Sequence, residues 1–174
     1  MIELSDGTIY ITYLHKRHGK FKPENINMNL SIDPVINKPL EAFWGCPKDS
    51  LFGWKEWCEA ERFGAFDYNW DNPVKWKLKT GSRILKIELK DVIDETNSIL
   101  KKYIKQNSLH PSTSNFFFNY GLDFNKIKND NIDAIELADG RIGHCFINEL
   151  EVMFNSWDCE SIVVLNKNKI QILN

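Results

Sequence analysis

Asp158 and Glu160 stand one residue apart in Trp157-Asp158-Cys159-Glu160, directly ahead of the apolar run Ser161-Ile162-Val163-Val164-Leu165. That run is short and β-branched and reads as a buried strand. In an extended segment, residues two apart project to the same side, so the two carboxylates face one cleft at the strand's mouth. Paired acids in such a place suit a reaction that develops positive charge, or one that takes a proton from a nucleophile. A solvated strand start is the plainer reading of the same residues.

The elements that must hold this pair follow from periodicity and punctuation. Thr8 to Leu14 alternates as a strand and empties into the basic end His15-Lys16-Arg17-His18-Gly19. Residues 20–40 are polar, carry Pro23, Pro34 and Pro39, and read as a long loop. Ala42-Phe43-Trp44 is a short strand stopped by Gly45-Cys46-Pro47. Asp49 or Ser50 can cap a helix whose apolar face is Leu51, Trp54, Trp57 and Cys58, with Gly64 ending it. That spacing places Trp54 and Trp57 toward a core. Arg83 to Leu89 alternates as a strand, and a helix follows over 91–105. Residues 107–121 are turn-like and then aromatic at Phe116-Phe117-Phe118. A short helix over 123–128 leads to the strand Ile132 to Leu137. Strands 161–165 and 169–173 are expected to pair as a hairpin across Asn166-Lys167-Asn168. Neither a repeat nor a linker interrupts the chain, so residues 1–174 read as a single domain.

Composition narrows the classes. A hydrophobic content of 43% with 26% charged residues describes an ordinary globular chain, not a disordered one. The formal net charge of −2 supplies no basic field, which disfavours nucleic acid as a partner. No apolar run approaches membrane-spanning length and the N-terminus lacks a signal-peptide pattern, so a cytoplasmic protein without a membrane partner is expected. Cys46, Cys58, Cys145 and Cys159 are scattered, which fits reduced thiols. His110 and His144 make no ligand spacing with Cys145 or with an acid, and no metal is assigned. No glycine-rich dinucleotide or phosphate-loop motif occurs. Six Trp and eleven Phe are many for this length, and five of the Trp crowd into 44–76. Core packing explains most aromatic residues, while a cleft that stacks a flat ring would also use them.

Several segments line up in one order: Lys38-Pro39-Leu40-Glu41-Ala42-Phe43-Trp44, Gly53-Trp54-Lys55-Glu56-Trp57-Cys58 and Gly81-Ser82-Arg83-Ile84-Leu85. They continue as Asp133-Ala134-Ile135-Glu136 and Trp157-Asp158-Cys159-Glu160-Ser161. With His15 early, this order resembles a group of small phage and bacterial proteins of the ADP-ribosyltransferase fold. The resemblance covers nearly the whole chain, with gaps mainly at 20–37 and 106–121. It departs at Cys46, where the pattern usually carries Ser, and at Tyr13-Leu14-His15, where Tyr and His are usually adjacent.

The resemblance implies an α+β fold of two small antiparallel-rich sheets around a cleft, with helices at the sides. It implies NAD as substrate and mono-ADP-ribosyl transfer to a macromolecular acceptor, a protein of a host or of a defence system, in the host cytoplasm if the chain is phage-encoded. Cleaving the bond between nicotinamide and ribose develops oxocarbenium character that a carboxylate stabilises. Asp158, Glu160 and Glu136 are the candidates, with Asp158 favoured because the resemblance anchors on Trp-Asp-Cys. The broader fold would use the second acid of the pair, Glu160. His15 can hold a ribose hydroxyl and Arg17 the pyrophosphate, or both can be surface residues. Trp44 can stack on nicotinamide or pack in the core, and Cys46 can replace the usual Ser as a small hydrogen-bonding group. A catalytically silent binding or inhibitor protein of the same fold, and an NAD glycohydrolase, are the alternatives.

Overall fold

Alternating apolar positions become sheet over most of the chain. The computed structural model describes residues 1–18, 21–22, 24, 26, 28–33, 38–64, 67–93, 99–106, 120–139, 142, 144–147, 150–153, 157 and 159–173. In chain order the strands and helices are β1 (Ile2–Leu4), β2 (Ile9–Thr12), β3 (Asn29–Asp33), β4 (Lys38–Glu41), β5 (Phe43–Pro47), α1 (Trp54–Ala60) and β6 (Val74–Leu78). Then come β7 (Arg83–Ile87), α2 (Leu89–Ile93), β8 (Ile104–Gln106), β9 (Tyr120–Leu122), α3 (Phe124–Asn129) and β10 (Ala134–Leu137). The last four are β11 (His144–Ile147), β12 (Leu150–Met153), β13 (Ser161–Val164) and β14 (Ile170–Leu173). The class is α+β, mostly sheet with few and short helices. Among the described residues no helix is long and apolar enough to cross a membrane.

Eight strands form one sheet in the order β1-β7-β10-β13-β5-β2-β6-β14, four form a second as β11-β12-β9-β8, and β3 pairs with β4. In the large sheet only β7 and β10 run parallel. Where two small sheets were expected, there are an eight-stranded sheet that changes partners at β5, a four-stranded sheet and the β3–β4 pair. Phe43, Trp44 and Gly45 pair with Val164, Val163 and Ile162 of β13. Cys46 and Pro47 pair instead with Ile11 and Tyr10 of β2. Gly45 sits at this handover, and a Cβ there would lie 2.8 Å from the Ile11 carbonyl oxygen and 2.8 Å from Cζ2 of Trp76. The fully buried Trp76 ring and the β2 backbone leave room for glycine alone.

β13 is buried on both faces, as its unbroken apolar run requires. Ile162 and Val164 join Tyr10, Phe43, Trp76 and Leu78 in one core, and Val163 and Leu165 join Leu85, Ile87, Ile135 and Trp157 in the other. Each such aliphatic side chain contributes about 1.5–3 kcal/mol on burial, so the strand that opens beside the acids is a rigid one.

Several elements differ from the sequence expectation for identifiable reasons. β13 and β14 do not form a hairpin: β13 lies between β10 and β5, while β14 closes the far edge against β6. The turn between them, Lys167–Lys169, is capped by the Asn166 side chain accepting from the Asn168 N–H. A strand that is apolar on both faces has to be interior, so its chain neighbour with polar positions goes to an edge. The expected loop over 20–40 contains β3 and β4. The expected helix over 91–105 is α2, then a 3-10 turn Ile99–Tyr103, then β8, with 94–98 outside the described residues. α1 begins after Gly53, not at Asp49 or Ser50, with the Glu56 carboxylate accepting the Gly53 N–H at 3.1 Å.

Candidate functional site

A cleft of about 360 Å³ lies where β5 passes from β13 to β2. Its lining comes from the end of β2 (Ile11, Thr12 and the following Tyr13), β4 (Lys38, Pro39), β5 (Trp44, Gly45, Cys46), Trp54 of α1, Tyr68, and Trp157, Cys159 and Ser161 around the start of β13. Pockets of this size, mostly apolar with a few convergent polar groups, are where proteins hold small ligands.

The Trp44 ring is half-buried and meets Trp157 edge-on, with ring centres 4.9 Å apart. Trp44 packs against the larger core and also lines the cleft. Its carbonyl accepts the Thr12 hydroxyl at 2.5 Å, and the Thr12 hydroxyl oxygen in turn accepts the Trp76 indole N–H at 2.9 Å. The Lys38 ammonium lies 5.2 Å from the centre of the Trp44 ring, a cation–π distance. The opposite wall is aromatic too. Trp54 stacks on Trp57 at 4.9 Å and meets Tyr68 edge-on at 5.9 Å, while Tyr68 and Tyr13 both pack on Trp70. Trp54 and Trp57 are half-buried and belong to neither core, contrary to the helical-face expectation.

His15 does not line the cleft but braces it. It bridges to Tyr68 through the backbone, and the two rings meet edge-on at 5.7 Å. Flanking backbone bonds, Lys16 N–H to Asp67 O at 2.7 Å and Asn69 N–H to Leu14 O at 3.0 Å, hold this contact. His15 Nδ1 accepts the Arg17 N–H at 3.1 Å, which places the proton of the neutral ring on Nε2. Arg17 itself is exposed.

The acids divide. Asp158 lies outside the described residues, as do Phe116, Phe117 and Phe118. Glu160 stands between the cleft residues Cys159 and Ser161, with its N–H donating to the Phe52 carbonyl at 3.1 Å. Burial raises its carboxyl above the usual range, and Asp139, Glu136 and Glu56 push the same way. Glu136 is buried on the other side of the sheet position, where its carboxylate accepts the Tyr10 hydroxyl at 2.7 Å, and it does not line the cleft. Cys46 is buried, and burial lifts its thiol above the ordinary value with Glu56 and Glu160 adding to the effect. Such a thiol is a poor nucleophile, which fits a packing and hydrogen-bonding place for Cys46. Among the described residues no group of three or more His, Cys, Asp and Glu could hold a metal ion.

Ser161, Tyr68 and Lys38 are among the lining residues that sequence reasoning left without a role. For Ser161 there was a signal: a polar residue opens a strand whose other positions are apolar on both faces.

Glu136 gives a stability test. Burial raises its carboxyl, against the lowering by the Tyr10 hydroxyl and Lys86, while Glu3 and Asp6 add negative charge nearby. A carboxyl raised on folding stabilises fully below the ordinary glutamate value of 4.5, and that contribution is lost as pH rises through the folded value. Glu136→Gln keeps an acceptor for Tyr10 without the charge. It is expected to melt above the wild type at neutral pH, by about 2–4 °C for each kcal/mol gained, with the gap closing in acid. Thermal melts of both proteins between about pH 4 and 8 check this, and a gap that widens in acid contradicts it.

Comparison of the chain with protein-family models, with curated proteins and with solved structures finds no match.

Proposed function

We propose that this protein is an NAD-dependent mono-ADP-ribosyltransferase of ADP-ribosyltransferase-like fold, acting on a macromolecular acceptor. The observation that carries this reading is the aromatic cleft at the β5 handover, flanked by Glu160 on one side and braced by His15 on the other. Trp44, Trp54, Tyr68 and Trp157 suit a flat ring, and a cleft of about 360 Å³ suits the nicotinamide end of a dinucleotide. The rest of the dinucleotide would extend past Lys38, whose ammonium is the lining cation.

In this reaction the bond between ribose C1′ and the nicotinamide nitrogen breaks, and nicotinamide leaves with the electron pair. The sugar carries the positive charge, which a carboxylate from the acidic segment stabilises. An acceptor nucleophile then adds to C1′ and its proton passes to base or solvent. Aromatic walls exclude water and favour transfer over hydrolysis.

The deciding experiment measures nicotinamide release from NAD by the purified protein, with and without host lysate, together with intact mass spectrometry of lysate proteins. Release with an ADP-ribose adduct is the expected result, weakened by His15→Ala in a chain that still folds. Equal release without any adduct identifies a hydrolase, and absence of both release and NAD binding at millimolar ligand identifies a silent binding protein.

A further inference from the structure

Among the described residues, one buried side-chain polar group of the cleft lacks a partner. Ser161 is 8% exposed and lines the cleft, and its hydroxyl meets no hydrogen-bond partner among the described residues. The backbone around it is satisfied, because Ser161 opens β13 opposite Leu137 and the preceding N–H of Glu160 is held by Phe52. Strand alternation sets Ser161 on the same face as Val163, which pairs with Trp44, so the hydroxyl and the Trp44 ring share one side of the sheet. The neighbouring Thr12 hydroxyl is already used twice, by the Trp44 carbonyl and the Trp76 indole. A buried hydroxyl without a partner costs stability, and such groups persist where a ligand completes them.

We infer that the Ser161 hydroxyl is a ligand-binding group of the cleft, which hydrogen-bonds the carboxamide of a flat heteroaromatic ring seated against Trp44. The assignment rests on the NAD reading for the identity of that ring. A hydroxyl offers one donor and acceptor lone pairs, and a carboxamide offers both complements, so the pair can be satisfied in either direction. A bare ring in the same place would leave Ser161 orphaned. A carboxylate in place of the amide would enter the field of Glu160 and Glu56, the same two acids that raise the Cys46 thiol beyond what burial does. Ser161 is therefore a specificity residue that favours a neutral amide over an acid.

The test compares wild type and Ser161→Ala by calorimetric titration with NAD, free nicotinamide and ADP-ribose, alongside thermal melts without ligand. Removing an orphaned hydroxyl is expected to leave the unliganded melting temperature unchanged or higher. Affinity for nicotinamide and NAD is expected to fall about tenfold, equivalent to ~1.4 kcal/mol, with ADP-ribose affinity unaltered because it lacks the ring. If Ser161→Ala binds NAD and nicotinamide as tightly as wild type, the assignment is overturned and the NAD reading stands. If wild type binds nicotinamide in a Ser161-dependent way but neither dinucleotide nor ADP-ribose, the assignment stands and the NAD reading fails. A Ser161→Ala protein that melts well below wild type gives the hydroxyl a structural role and overturns the assignment. Absence of binding of all three ligands to wild type overturns both.

Discussion

Glu160→Gln is expected to slow nicotinamide release at saturating NAD by on the order of 10²-fold, about 3 kcal/mol of transition-state stabilisation. Its KM should change far less, because the positive charge on the sugar develops mainly on the way to the transition state. The expectation rests on place. Glu160 lies between two residues that line the cleft, and its backbone is pinned to Phe52. Its carboxyl is raised first by burial and then by Asp139, Glu136 and Glu56, so the charged form appears only above a pH displaced upward from 4.5. The rate should therefore fall as pH drops through that displaced value, and Glu160→Gln should remove this acid limb. Asp158→Asn and Glu136→Gln belong in the same assay. If Asp158→Asn loses the rate while Glu160→Gln keeps it, the acid of the Trp-Asp-Cys segment is the working one. If all three match an active wild type, the charge on the sugar is met elsewhere in the protein.

The legible parts of the sequence were those where local pattern and tertiary role coincide. Ile9 to Thr12, Arg83 to Ile87 and Ala134 to Leu137 alternate or run apolar, and each is a strand of the large sheet. The stop expected at Gly45-Cys46-Pro47 is instead strand, because β5 runs on to Pro47 and Gly45 marks the handover from β13 to β2, where the crowding comes from Ile11 and Trp76 at distant positions in the chain. Non-local pairing also hid β6 and the partner of β14. Val74 to Leu78 alternates Trp76 and Leu78 with lysines, and its two neighbouring strands, β2 and β14, come from distant parts of the chain. The acids illustrate a further limit. A spacing of two puts Asp158 and Glu160 on one face only if the segment is extended, yet Glu160 lies in a bend and its regular strand begins at Ser161. Trp44 and Cys46, singled out through the resemblance, both line the cleft, whereas Glu136 went to Tyr10 because a buried carboxylate needs a donor and β2 supplied one across 126 residues.

Trp157 and Trp44 touch each other and line the same cleft, yet removing them should have opposite consequences. Trp157 is 2% exposed and its ring lies parallel to Phe124 at 6.4 Å within the larger core. Truncating a buried Trp costs about 3–5 kcal/mol, which lowers the melting temperature of a chain this size by roughly 6–20 °C. Trp157→Ala should therefore lose NAD binding largely because it loses folded protein. Trp44 is half-buried, with one side in the cleft and Lys38 over its ring, so less of its area is withdrawn from water on folding. Trp44→Ala should melt closer to wild type while binding NAD markedly more weakly, and Trp44→Phe should recover part of that binding by restoring a stacking face. Melts and NAD titrations of the three variants separate the two roles. If Trp44→Ala melts as low as Trp157→Ala, the Trp44 ring is core and not wall. If Trp44→Ala binds NAD as wild type does, the ring of the ligand does not lie on it, and the flat-ring reading of the cleft falls with that result.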